Sequence, residues 1–290
     1  MTKDFLKEVL LEKQRAIKEA KRVYPEEELR LRMEEPRVWR PFKQAISAPG
    51  RLNIIAEIKR ASPSEGVLRE DFDLLQIARI YQNCGACAIS VLTEEKYFSG
   101  KMAYLKQVRK VVDLPILRKD FIFEPYKLYE SKFFGADAVL LIAEVLKEGR
   151  LSEFLAIARR LELDCLVEVG NTRELEYAIG QGSEIIGINN RNLHTLEVSV
   201  KPDADLFKKV PEGRVIVAES GIRTNRDYLA YKKLNANAVL IGSAFMKAED
   251  IVKKFKEISE EKEAKVKVKK PSAKSGIRKK KPAVKKRKPG

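Results

Sequence analysis

Five short stretches carry the residue types that acid–base chemistry needs: Glu57-Ile58-Lys59, Lys119-Asp120-Phe121, Glu168, Asn189 and Glu219-Ser220-Gly221. Each closes an apolar run of strand length. Two lysines and three carboxylates gathered on one concave surface would shift one another's pKa values by opposite charge, like charge and desolvation. Protonated and deprotonated groups would then stand side by side, which general acid and general base catalysis require. Buried charge is costly unless paired, so stability alone is a poor account of five such placements. The chain reads as an enzyme.

Side chains alternate faces along a strand, so Ile55, Glu57 and Lys59 point one way and Ile54, Ala56 and Ile58 the other. Taken alone, the Glu57/Lys59 pair fits a salt bridge closing a barrel as well as it fits catalysis. Repetition at Lys119, Glu168, Asn189 and Glu219 favours catalysis. A second signature suits phosphate: Ser220-Gly221-Ile222 and Ile241-Gly242-Ser243 both follow apolar runs, and glycine lets backbone N–H groups approach an anion. Ser62-Pro63-Ser64-Glu65-Gly66 reads as a mobile loop able to cover a ligand.

The elements that must position these groups are legible as alternating strands and helices. Strands are expected over 53–59, 87–92, 115–119, 137–142, 164–169, 185–189, 214–219 and 238–242. Helical patterning falls near 73–83, 101–112, 125–134, 150–162, 172–180, 203–210, 224–234 and 247–259. Runs such as Ala138-Val-Leu-Leu-Ile142 look buried on both faces, as parallel strands are. Charges at the carboxyl ends of several parallel strands build the active site of a (β/α)₈ barrel, whose loops after strands seven and eight commonly hold phosphate. The structural rival, an open doubly wound sheet, usually carries a glycine fingerprint after its first strand, and none occurs here. The expectation is an α/β chain: a (β/α)₈ TIM barrel over 51–262 behind an N-terminal helical extension over 1–50. In that extension Phe5, Val9, Leu10, Ala16, Ile17 and Ala20 recur at helical spacing, and Pro25 and Pro36 bound a second short helix.

Composition agrees. The 290 residues exceed the roughly 250 a barrel needs, and 44% are hydrophobic. No apolar run reaches the roughly 20 residues of a membrane span, and the charged N-terminus lacks a signal-peptide core, so a cytoplasmic location is expected. Cys84, Cys87 and Cys165 are too few for a disulfide framework; the Cys84/Cys87 spacing straddles a helix end and a strand, which suits buried thiols better than a redox or metal motif. His194, the sole histidine, falls on the loop after the sixth strand and reads as a surface residue. Of the 58 Lys and Arg residues, thirteen fall in 264–290 where there is no Asp or Glu; the other 45 face 42 acidic groups. Basicity therefore belongs to a tail, 263–290, whose composition predicts disorder.

In order and spacing, IAEIKRASPSEG (55–66), LRKDFIFEPY (117–126), LVEV (166–169), GINNRNL (187–193), VAESGI (217–222) and IGSAF (241–245) resemble indole-3-glycerol-phosphate synthase. The likeness spans roughly residues 1–259. It implies closure of the indole ring of 1-(2-carboxyphenylamino)-1-deoxyribulose 5-phosphate with loss of CO₂ and water, in tryptophan biosynthesis, without metal or organic cofactor. It implies Lys119 as general acid at the substrate carbonyl and Glu168 as the carboxylate of later proton transfers. Lys59 would meet substrate anions, while Glu57, Asn189 and Glu219 hold ribulose hydroxyls and the lysine geometry. Ser62 and Arg191 would lie near the anthranilate carboxylate, and Leu92, Phe98 and Phe121 would form the slot for its ring. Ser220, Gly221, Gly242 and Ser243 would cradle the phosphate. Gly170-Asn171 and Lys101 differ from the usual family pattern at loop positions.

The rival enzyme is a neighbouring phosphate-binding barrel such as phosphoribosylanthranilate isomerase. Its acid and base resemble a Cys and an Asp, and no cysteine here sits at the mouth end of the first strand. A reading from another class is polyanion or nucleic-acid attachment through 264–290, which would be salt-dependent and sequence-independent. That segment has no aromatic residue for base stacking, and a solvated tail aiding solubility is its plainer alternative. Nothing in the sequence sets an oligomeric state.

Overall fold

The Val-, Ile- and Leu-rich runs pair as a closed barrel of eight parallel strands. The structure is a computed structural model that describes residues 4–32, 38–199 and 201–260. In chain order its strands are β1 (Asn53–Ile58), β2 (Ala61–Ser62), β3 (Gly66–Val67), β4 (Ala88–Leu92), β5 (Ile116–Lys119), β6 (Ala138–Ile142), β7 (Asp164–Val169), β8 (Ile185–Asn189), β9 (Val215–Glu219) and β10 (Ala238–Ile241). The barrel runs β1-β10-β9-β8-β7-β6-β5-β4 and closes on itself; β2 and β3 form a small antiparallel hairpin in the loop after β1. The eight barrel strands lie within a residue of the expected bounds. The hairpin gives internal pairing to the segment read as a mobile loop.

Strand alternation separates two apolar layers. Ile55, Leu117, Leu140, Leu166, Val217 and Leu240 fill the barrel interior. Ile54, Ile58, Ile89 and Val91 face outward under the helices. Each barrel strand thus buries both faces, which is why no polar alternation marks it. Register brings chemistry-bearing ends level: Asn189 pairs with Glu219, and Glu168 with Gly187.

Residues before β1 form three helices, α1 (Phe5–Val23), α2 (Glu26–Arg32) and α3 (Phe42–Ile46). Asp4 caps α1 by accepting from Lys7 N–H, and Phe5, Val9, Lys13 and Ile17 are buried at every fourth position. α3 closes the amino-terminal end of the barrel. Lys43 N–H donates to Asp164 at the start of β7 (2.9 Å), and Asn53 Nδ2 donates to the carbonyls of Ile46 (3.1 Å) and Ala48 (2.9 Å). α1 lies at the other end, where Phe5 meets Phe121 edge-on with ring centroids 6.2 Å apart.

Beyond β10 the structure adds a one-turn helix, Ser243–Met246, where a glycine turn leading to a helix at 247 was expected. Four residues carry too little periodicity to read. The last helix then begins at Ile251, because Asp250 accepts from Lys253 N–H and fixes its start. No helix among the described residues is long and apolar enough to cross a membrane. The lysine-rich stretch 263–290 lies outside the described residues, apart from the reading of its composition.

Candidate active site

Lys119 is the last residue of β5, and its parity turns it into the barrel while Arg118 and Asp120 turn out. Its Nζ lies 3.1 Å from Glu168 Oε2 and 3.3 Å from Glu219 Oε2. Glu168 in turn accepts from Asn189 Nδ2 at 2.7 Å. Burial pushes the Lys119 ammonium down, but the charges of Glu168, Glu219 and Glu57 outweigh it and hold the group above the ordinary lysine value. It is a cation that gives up its proton only when a strong base, such as a developing alkoxide, arrives.

Glu219 is the strained member of the set. Only 1% of it is exposed, and neither carboxylate oxygen receives an aligned hydrogen bond among the described residues. Burial raises its pKa to about 7, against the lowering pull of Lys119 and with a further push from Glu168. On the neighbouring wall, Lys59 Nζ sits 2.8 Å from Glu57 Oε1, as the two-residue spacing on β1 allows.

All fifteen residues singled out from the sequence line one cavity at the carboxyl ends of the strands, about 1070 Å³ including its open mouth. Leu92, Phe98 and Phe121 form an apolar wall that Phe5, Leu140 and Ile142 extend. Arg191 Nη1 donates to Ser64 Oγ (3.0 Å) and to the Leu196 carbonyl (2.8 Å), which ties the hairpin to the loop after β8. The Ser62 hydroxyl is buried with no partner among the described residues. Ser220 and Gly221 are consecutive left-handed residues (φ 66° and 81°), so the chain leaves β9 in a sharp turn that lines the cavity. Gly242 and Ser243 complete that wall.

Several residues that build the site were not singled out from the sequence. Behind Lys119, Arg118 and Asp120 belong to a sealed charge network. Arg118 donates to Asp120 (2.8 Å), Glu130 (2.9 Å), Thr93 Oγ1 (3.1 Å) and Ser131 Oγ (2.9 Å). Asp120 also meets Lys13 Nζ at 2.6 Å and accepts from its neighbour Phe121 N–H at 2.9 Å. Although burial would raise it, Lys13, Arg118 and Lys127 hold the Asp120 carboxyl well below the usual range. Its partner Lys13 was visible as a lysine set in the Phe5/Val9/Ile17 stripe, a position that demands a buried partner. Arg223 joins the wall of Ser220, Gly221, Gly242 and Ser243 and follows directly from its place after Ser220-Gly221-Ile222.

The remaining sequence candidates fall elsewhere. His194 bridges Asp4 (2.9 Å) and Glu144 (3.1 Å) outside the charged cluster. Cys87 is buried, its thiol donating to the Ile54 carbonyl (3.2 Å) and its pKa pushed by burial up to about 12. Such a thiol stays protonated and inert.

A closed parallel barrel with this charged mouth defines a (β/α)₈-barrel enzyme. The indole-3-glycerol phosphate synthase family model matches residues 6–258. The chain is 46% identical over 246 residues to the indole-3-glycerol phosphate synthase of Caldanaerobacter subterraneus subsp. tengcongensis, covering 84% of this chain and 94% of that protein. It is 43% identical over 256 residues to that of Thermoanaerobacter pseudethanolicus, covering 88% and 97%. The fold alone is shared with 3-hexulose-6-phosphate synthase from Salmonella typhimurium (TM-score 0.55, 15% identity, 72% of this chain and 97% of that one). It is likewise shared with a mutant tryptophan synthase alpha-subunit from Pyrococcus furiosus (TM-score 0.55, 17% identity, 71% and 97%). The chain belongs to the indole-3-glycerol phosphate synthase family, carboxy-lyases of tryptophan biosynthesis.

Proposed function

We propose that this mouth closes the indole ring of 1-(2-carboxyphenylamino)-1-deoxyribulose 5-phosphate, with Lys119 as the general acid. The ring carbon that bears the carboxylate attacks the ribulose carbonyl, and the Lys119 ammonium protonates the oxygen as it becomes an alkoxide. Bond formation leaves positive charge next to the carboxylate, so CO₂ departs with its electron pair restoring the aromatic ring. Glu168 serves the later proton transfers, which end in loss of water. Acid–base groups and fixed counter-charges suffice for each step.

The observation that carries this reading is Lys119 Nζ lying between Glu168 (3.1 Å) and Glu219 (3.3 Å), on the strand paired in register with Leu92, in the cavity that Phe98 and Phe121 also line. An ammonium so paired is oriented before the substrate arrives, which is the preorganisation that lowers barriers. Lys59 and Glu57 would meet substrate charge and hydroxyls, Asn189 would hold Glu168, and Ser62 and Arg191 would take the anthranilate carboxylate. Ser220, Gly221, Gly242 and Ser243 would hold the phosphate. The three free thiols suit a reducing, cytoplasmic setting.

Indole fluorescence after adding the carboxyphenylamino-deoxyribulose phosphate tests the assignment. Lys119→Ala should lose kcat by on the order of 10²–10⁴. Activity within threefold of the parent would remove Lys119 from the role. A second reading adds to catalysis: the thirteen basic residues of 264–290 attach the enzyme to a polyanion such as nucleic acid. A chain ending at Lys262 should keep its turnover and lose salt-dependent DNA binding. Equal binding by the two chains would end that idea.

A further inference from the structure

We propose that Gly187 and Gly242 are positioning residues, each supplying the space in which one carboxylate of the mouth lies. Gly187 is the third residue of β8 and pairs in register with Glu168 on one side and Val217 on the other. A methyl group on Gly187 would overlap Glu219 Oε1, lie 3.4 Å from its Cδ and lie 3.1 Å from Leu166 Cδ1. Gly242 follows β10, and a methyl there would overlap Glu57 Oε1 and lie 3.1 Å from Glu57 Cδ. Neither glycine is left-handed, so backbone conformation does not demand it. Glycine inside a strand pattern otherwise weakens the strand and marks close approach of another group.

The two niches matter differently. Glu57 has Lys59 at 2.8 Å to hold it, whereas Glu219 has no aligned donor among the described residues. The bare Cα of Gly187 therefore sets where Glu219 rests, 3.3 Å from Lys119 Nζ. A methyl at 187 would drive that carboxylate into the Lys119–Glu168 pair. Shortening the side chain by one carbon would withdraw it by ~1.5 Å and relieve the overlap.

This inference rests on the roles proposed above for Glu219 and Glu57, and a double-mutant comparison separates the two. Turnover and melting temperature are measured for Gly187→Ala, Glu219→Asp and the pair combined. Each single change is expected to lower kcat at least tenfold with little change in KM. The combined variant should be at least fivefold more active than Gly187→Ala, so that Glu219→Asp harms one background and helps the other. A combined variant no better than Gly187→Ala would overturn the niche. Full activity in Glu219→Asp alone would instead overturn the role of Glu219. Should Gly187→Ala fail to fold, the niche requires the combined variant to fold; if both fail, Gly187 is excluded as a specific seat. The pair Gly242→Ala and Glu57→Asp repeats the test independently, with the same reversal expected and its absence fatal to the second niche.

Discussion

Lys13 Nζ ends 2.6 Å from Asp120 Oδ1, so the first helix of the chain is bonded to the residue that immediately follows Lys119. Both side chains are buried, with 7% and 0% exposed. Asp120 divides its oxygens among Lys13, Arg118, Thr93 and the Phe121 amide. The same helix reaches the mouth through Phe5, and Tyr97 donates to its Glu8 at 2.8 Å. The N-terminal extension is therefore part of the frame that holds β5.

Breaking that pair should cost stability and turnover together. Removing one partner of a buried ion pair typically costs about 3–5 kcal/mol. Lys13→Met and Asp120→Asn should each lower stability in denaturant melts, and the combination should cost less than their sum by about 1 kcal/mol or more. Strict additivity would show that the two groups act separately.

Glu219 should make stability depend on pH in an unusual direction for a carboxylate. Its pKa rises from the ordinary 4.5 to about 7 on burial, so the folded chain holds a proton that the unfolded chain has released between those values. Stability from this group is complete below the unfolded value and falls as pH rises toward 7. Glu219→Gln cannot ionise, so the melting temperature of the parent relative to that variant should decline from pH 4.5 to 7. A parent that gains on the variant over this range would contradict the assignment.

His194 should govern how the start of α1 docks. Its hydrogen bond with Asp4, and then Glu144, raises its pKa despite some desolvation. A histidine raised in the folded state stabilises fully below its unfolded value and loses that contribution as pH rises through the folded one. Asp4 is depressed by Lys7 N–H and His194, so its share is lost as pH falls through its own range. Hydrogen-exchange protection at residues 5–9, taken relative to the intrinsic rate at each pH, should fall on the alkaline side of the His194 titration, and His194→Gln should abolish that change. The same alkaline loss of protection in the variant would assign it to another group.

The hairpin after β1 is fastened on two sides, by Ser64 to Arg191 and by Glu65 to Lys247 at 2.7 Å. Lys247 is half exposed, so its ion pair should add little to global stability. Lys247→Met combined with Ser64→Ala is expected to raise KM several-fold while leaving the melting temperature within a degree or two. Steady-state kinetics with an unchanged KM would show that the hairpin does not help retain substrate.

The barrel was legible because its strands are short, mostly apolar runs, and five of them carry a charged or amide residue at or next to the carboxyl end: Glu57, Lys119, Glu168, Asn189 and Glu219. Lys119, Glu168 and Glu219 stood out for the same reason. The outward neighbours of Lys119 were harder to read: beyond each other and the Phe121 amide, Arg118 and Asp120 have partners 9 to 107 residues away, and only the packed structure names them. Lys13 did leave a trace, as one charge in an apolar stripe. Gly242 was read as a phosphate turn, and the space it leaves for Glu57 depends on a neighbouring strand that no local pattern announces. The turn Ser243–Met246 was too short to have a period.

Strand β5 is used on both of its faces. In many barrels the strands supply the framework and the loops are free to vary, so activity and persistence of the fold can change separately. Here Lys119 faces the cavity at the barrel mouth and its adjacent residues face the sealed network, leaving no neutral side to β5. Variation at 118–120 would reduce both the amount of folded enzyme in a cell and the output of each molecule. A growth selection would register the product of the two losses, and separating them would take a measure of protein abundance beside one of turnover.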